Sequence, residues 1–162
     1  MKIIIAIDDS PFSERLLETV VRRHWAPDTQ FKLLNVVEPF CVDEDEEREY
    51  NTIFNEVFVR RKEHAATMCA EARKRLETHI EQCHVHYDIR QGDPKQQIIQ
   101  AAIDWDADRI LIGAHGREIC PHNLLGSVSR SVASHAPCTV EIVRPKVTRR
   151  EEKVASSLCR QV

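Results

Sequence analysis

The stretch KIIIAID, residues 2–8, is a continuous run of apolar side chains closed by an acid. Such a run marks a strand covered on both faces, because a strand with one wet face alternates instead. It calls for helices above and below a sheet, and the chain supplies them in turn. SPFSERLLETVVRRH carries a helical stripe of Leu16, Leu17, Val20 and Val21. Ser10 stands as its cap, Pro11 suits its first turn, and Glu14 completes a capping box. QFKLLNVVEP is a second apolar strand, stopped by Pro39. A helix free of Gly and Pro is expected over 50–82. CHVHYDIRQGDP alternates around Val85, Tyr87 and Ile89 and ends at Gly92 and Pro94. PKQQIIQAAIDW is a helix with Asp93 as N-cap and Pro94 at its first position. ADRILIGA is a buried strand, SVSRSVASHA a helix beginning near Ser127, and CTVEIV a closing strand. Strict alternation with covered strands means βαβ units joined by right-handed crossovers. The expected fold class is therefore α/β: a five-stranded parallel sheet, doubly wound, with helices on both faces.

Composition removes several classes. The net charge of -3 and the lack of a basic face argue against a general affinity for nucleic acid. No apolar run approaches the roughly 18 residues of a membrane span. The start MKIIIAIDDS ends in two aspartates with no cleavage site, so it is a strand and not a signal peptide, and a cytoplasmic location is expected. The six cysteines form no CxxC pair and are expected as thiols, mostly small buried hydrophobes. Residues 1–145 are expected to form one domain. After Pro145 the α/β rhythm is lost, and 146–162 is expected to be a mobile tail.

Glycine usage points to the site. The chain has four glycines, and Gly113, Gly116 and Gly126 fall within LIGAHGREICPHNLLGSVSRSV. Gly113 closes a strand and Gly126 precedes a helix. In open α/β sheets, ligands bind outside the carboxyl ends of the strands. A glycine there lets backbone approach a ligand, and a helix start followed by Ser127 offers free N–H groups and a positive dipole end to an anion. Neither a GxxxxGK[ST] loop nor a GxGxxG fingerprint is present.

GAHGREICPHNLLGS resembles the phosphate-binding pattern of the universal stress protein family, in its ATP-binding branch. IIIAIDDSPFSERLLE, LLNVVEP, GDPKQQIIQAAIDWDADRILIGAHG and APCTVEIVRP resemble that family's other segments, in order. The resemblance implies an adenine nucleotide alpha hydrolase-like sheet of order 3-2-1-4-5, with ATP and Mg²⁺ as ligands. It implies that Asp8 hydrogen-bonds adenine, that Val36 lines the adenine pocket, and that Ile112 and Gly113 lie along the nucleoside. Gly116 would let its loop pass close to the phosphates. Gly126, Ser127, Val128 and Ser129 would offer backbone N–H and hydroxyl groups to them. A homodimer through the last strand, 138–143, is implied as well, and an unpaired apolar edge strand independently invites a second copy. The sequence departs from the family where Asp9 replaces a glycine often found after the first acid.

Several further residues bear on chemistry. Arg117 could pair with phosphate. His84 and His86 share one strand face and could hold a metal, but the alternative of an exposed strand face needs no third ligand. Cys120 and His122 could act as thiolate and base, though no orienting group is visible. The acids of 43–49 are expected as a solvated loop or helix start. With Asp8 assigned to adenine, only His115 and His122 lie near enough to the phosphates to assist hydrolysis. The expected function is a stress-response regulatory module with an unidentified protein partner, switched when ATP orders the loop 114–125. The alternatives are a slow ATPase or phosphotransferase, and a nucleotide-free interaction or redox module.

Overall fold

A computed structural model describes residues 1–39, 44–116 and 125–144, with backbone alone for 44–52. The elements follow in order: β1 (Lys2–Ala6), α1 (Pro11–Val21), β2 (Thr29–Val37), α2 (Glu44–His79), β3 (Cys83–Gln91), α3 (Pro94–Trp105), β4 (Arg109–Gly113), α4 (Ser127–His135) and β5 (Thr139–Val143). The five strands form one sheet of order β3-β2-β1-β4-β5, every pair parallel. This is the doubly wound α/β sheet that the covered runs called for.

The inner strands β1, β2 and β4 face two cores. Ile3, Ile5, Phe31, Leu33, Val85 and Leu111 pack on one side against Leu16, Leu17 and Val20 of α1 and Cys69, Ala72 and Leu76 of α2. Ile4, Ala6, Leu34, Ile110 and Ile112 pack on the other against Ile98, Ala101 and Ala102 of α3 and Val132 of α4. Successive side chains of β1 thus enter opposite cores, which is why the run is unbroken. Trp25 meets Phe31 edge to face, ring centroids 5.3 Å apart.

The helix ends differ from expectation in two places. The Ser10 side chain makes no cap bond to α1; its hydroxyl donates to the Asp8 carboxylate instead. Glu14 closes no capping box and pairs with Arg75 of α2. The helix expected over 50–82 runs from Glu44 to His79. The acids of 44–49 belong to its first turns, where the positive end of the helix dipole favours them. Asp93 does cap α3, its carboxylate accepting from the Lys95 N–H at 2.8 Å. Gly92 holds φ +133° in the turn before it, a conformation that side chains rarely adopt.

At the β5 edge, Glu141 accepts from both Arg23 guanidinium nitrogens and lies 3.6 Å from Arg109. The hydrogen bond from Arg23 and the positive charges of Arg23 and Arg109 hold the Glu141 carboxyl below its ordinary value. Its contribution is complete above that ordinary value, near 4.5, and is lost as pH falls through the lower folded value. The side chains are about one third exposed, so the pair is worth at most about 1 kcal/mol. Thermal melts of Glu141→Gln should fall slightly below those of the native chain at neutral pH, and the two should converge in acid.

Candidate functional site

Strand order reverses between β1 and β4: the chain leaves β1 toward α1 on one face, and β4 toward α4 on the other. Loops diverging from such a point leave a crevice at the carboxyl ends of the strands. Here it is a cleft of about 400 Å³. Ala6, Leu34, Val36, Pro94, Ile98 and Ile112 form its apolar wall. Asp8, Gly113, Gly116, Gly126, Ser127, Val128 and Ser129 line it as well. The cleft thus gathers nine of the ten residues singled out above; the tenth, Arg117, lies outside the described residues.

Asp8 is held by its own turn. Oδ1 accepts from the Ser10 hydroxyl, from the Ser10 N–H at 3.2 Å and from the Ser13 hydroxyl at 2.7 Å. The Asp8 N–H donates to Ser13 Oγ at 2.8 Å. The second oxygen, Oδ2, faces Gly116, where an added Cβ would stand 2.9 Å away. Asp8 therefore offers one pinned acceptor to a donor in the cleft. Nearby, the buried Asn35 side chain donates to the Ile7 carbonyl at 2.8 Å and ties the ends of β1 and β2 together.

The three glycines serve packing within the protein. A Cβ on Gly113 would stand 3.2 Å from Phe12 Cβ and from the His115 carbonyl, and one on Gly126 would stand 3.3 Å from the Ala114 carbonyl. None of the three has positive φ. Their value is close approach: the strand end, the Asp8 turn and the entry to α4 fold onto one another without side chains between them.

The start of α4 is the cleft's device for anions. Gly126 is the N-cap and has no side chain to cap with. Its own N–H is spent on the Ala114 carbonyl at 2.9 Å, so Gly126 shapes the site and donates nothing to a ligand. The Ser129 hydroxyl donates to the Gly113 carbonyl at 2.6 Å, so it too is unavailable as a donor. Both findings correct the expected donor set. The first-turn N–H groups of Ser127, Val128 and Ser129 have no partner within the helix, and the dipole's positive end lies there.

Other candidates separate clearly. Cys83 and Val85 pack on the α2 side of β3, whereas His84 and His86 are exposed. Among the described residues, no group of three His, Cys, Asp or Glu could hold a metal. Cys69 is fully buried, and burial pushes its thiol up to about 11, so it is inert as a nucleophile. Cys120, His122 and 146–162 lie outside the described residues. His115 reaches the cleft, stacked at a tilt on Phe12 with centroids 5.3 Å apart, and its Nδ1 is buried without a hydrogen-bond partner. Ser10, Ser13 and Asn35 were missed as site-forming residues. Asp8 followed two residues later by Ser10 is an Asx-turn signal, and with Ser13 it could have flagged two of them.

The model of the universal stress protein family matches residues 1–144. The universal stress protein Sll1388 of Synechocystis is 27% identical over 152 residues, covering 88% of this chain and 97% of that protein. Among solved structures, the protein MJ0577 superposes with a TM-score of 0.76 at 27% identity, over 91% of this chain and 97% of its own. A universal stress protein family protein of Arabidopsis thaliana, solved with AMP bound, superposes with a TM-score of 0.52. At 19% identity, over 91% of this chain and 93% of its own, that likeness is one of fold alone.

Proposed function

Because this chain belongs to the universal stress protein family, we propose that it is a cytoplasmic stress-response regulator that binds ATP with Mg²⁺ in the cleft between β1 and β4. The observation that carries this reading is the first turn of α4, without a side-chain cap, opening into the same cleft as an apolar wall. The wall of Val36, Leu34 and Ile98 suits adenine, and the N–H groups of Ser127, Val128 and Ser129 suit a phosphate. Asp8 Oδ2 is an acceptor and would take a donor of the nucleoside; beside a phosphate it would repel. The described lining holds Asp8 and Glu38 but no Lys or Arg. Mg²⁺ would supply the missing positive charge, bound largely through phosphate oxygens and water.

A bound nucleotide would touch both the β1–α1 turn and the start of α4. Its presence would thus be read on the surface those turns form, which is the basis for a nucleotide-dependent interaction module. No described helix is long and apolar enough to cross a membrane. β5 lies at the sheet edge, where a second copy would add its own β5.

Acid extraction of freshly purified protein, followed by chromatography, tests the reading. Release of an adenine nucleotide in proportion to protein supports it; protein that carries none and takes up none on addition of ATP and Mg²⁺ overturns it. A sharper prediction concerns Ser127→Pro. Proline suits the first helical position, and the extended Gly126 (ψ 159°) before it is compatible. The substitution deletes one N–H with the helix intact. Equilibrium dialysis should show about tenfold weaker nucleotide binding than Ser127→Ala, the magnitude of one charge-assisted hydrogen bond.

A further inference from the structure

The cleft is short of side-chain donors. Among the described residues that line it, the Ser13 hydroxyl is spent on Asp8 and the Ser129 hydroxyl on Gly113. Asp8 and Glu38 bring acceptors. That leaves the Ser127 hydroxyl and the ring of His115, the one described lining side chain that contains nitrogen.

His115 is seated against the start of α4. The residue before it is tied twice: the Ala114 N–H donates to the Val143 carbonyl at 2.9 Å, and the Ala114 carbonyl accepts from the Gly126 N–H at 2.9 Å. A Cβ on Gly126, the N-cap of α4, would stand 3.5 Å from His115 Cα. On the other side the ring leans on Phe12 of α1. Gly113 leaves the space in which Phe12 and the His115 carbonyl close up. The ring is therefore held beside the helix end whose N–H groups are open.

Its surroundings also set its tautomer. Nδ1 is buried and has no partner among the described residues. A hydrogen placed there would be an enclosed donor with nothing to receive it, and orphaned buried donors are rarer than under-satisfied acceptors. The neutral ring carries its hydrogen on Nε2 instead. With Nδ1 enclosed, Nε2 is the nitrogen through which the ring meets the cleft. A donor beside a helix N-terminus suits an anionic oxygen.

We propose that His115 is the phosphate-selecting side chain of the cleft, its Nε2–H donating to a phosphate oxygen beside the open N–H groups of α4. The proposal rests on the cleft being a nucleotide site. It separates ATP from adenosine, which the apolar wall and Asp8 do not, since both ligands present the same nucleoside to them.

Equilibrium dialysis with ATP and Mg²⁺, and separately with adenosine, tests this in His115→Phe, His115→Asn and His115→Gln. Phenylalanine keeps a ring on Phe12 and removes both nitrogens. It should melt no lower than the native chain, because an unpartnered buried nitrogen becomes carbon. Glutamine can set an amide N–H near the place of Nε2, and asparagine is too short to do so. ATP affinity should fall about tenfold in His115→Phe and His115→Asn, the loss of one hydrogen bond to a charged group, and stay within about threefold of native in His115→Gln. Adenosine should bind the native chain and the variants alike. An unchanged ATP affinity in His115→Phe overturns the proposal. So does an equal loss for adenosine, or a His115→Gln that loses as much as His115→Phe. Native protein that takes up neither ligand overturns the nucleotide reading as well, whereas native protein that takes up ATP leaves that reading standing whatever the variants do.

Discussion

Replacing Gly116 with alanine is expected to weaken adenine-nucleotide binding about ten- to a hundredfold with the fold intact. The new Cβ would stand 2.9 Å from Asp8 Oδ2, closer than real contacts allow. A free carboxylate would swing aside at little cost. This one is pinned through Oδ1 by Ser10 and Ser13, so either those bonds break or the loop carrying Gly116 moves away from the cleft. Both outcomes remove the same acceptor from the nucleoside. The circular dichroism spectrum should not change, because Gly116 lies in a loop and belongs to neither core. Pairing the substitution with Ser13→Ala separates the routes. With one restraint on Asp8 gone, the alanine should cost less than it does alone, which a double-mutant cycle on nucleotide affinity measures.

The largest effect on stability should come from Phe31→Ala. Phe31 is fully buried in β2, between β1 and β3, and carries the edge-to-face contact with Trp25. Its truncation leaves a cavity among Ile3, Leu33, Leu76 and Val85, at a cost of about 3–5 kcal/mol. For a chain of this size that lowers the melting midpoint by about 10–15 °C. Calorimetry should show the drop together with quenched or shifted Trp25 fluorescence, since that indole loses its ring partner while keeping its bond to the Val20 carbonyl.

Much of the fold was legible because the covered runs leave few alternatives. KIIIAID and RILIG have no polar face to present to water, so the strands they form must be interior, and interior parallel strands must be joined by helices. CHVHYDIRQ alternates, and it is the edge strand β3, with His84 and His86 facing out. Boundaries were harder. The acids of 44–49 left a solvated loop and a helix start both open, and the second holds, with α2 starting at Glu44. Ser10 stands at the N-cap position, but its hydroxyl is turned to donate to the Asp8 carboxylate and its oxygen accepts no first-turn N–H.

For the site, position was legible and the donor inventory was not. Strand ends and a helix start can be read from periodicity, and Asp8, Val36, Ile112, Gly113 and the Gly126–Ser129 run all line one cleft. Which hydrogen is already spent depends on contacts distant along the chain. The Ser129 hydroxyl goes to Gly113 and the Gly126 N–H to Ala114, so the donors left are narrower than the motif implies. The glycines, which look like ligand contacts in the sequence, are spaces for Phe12, Asp8 and the Ala114 carbonyl.

Calorimetric titration of ligand-free protein with ATP and Mg²⁺, beside Gly116→Ala, asks whether the cleft takes a nucleotide. Saturable binding of one nucleotide per chain, weakened in the variant and absent with inorganic phosphate alone at the same concentration, is what the pinned Asp8 and the open turn of α4 predict. No saturable heat with ATP, ADP or AMP, with or without Mg²⁺, would contradict the nucleotide site and leave the cleft as a feature of the fold.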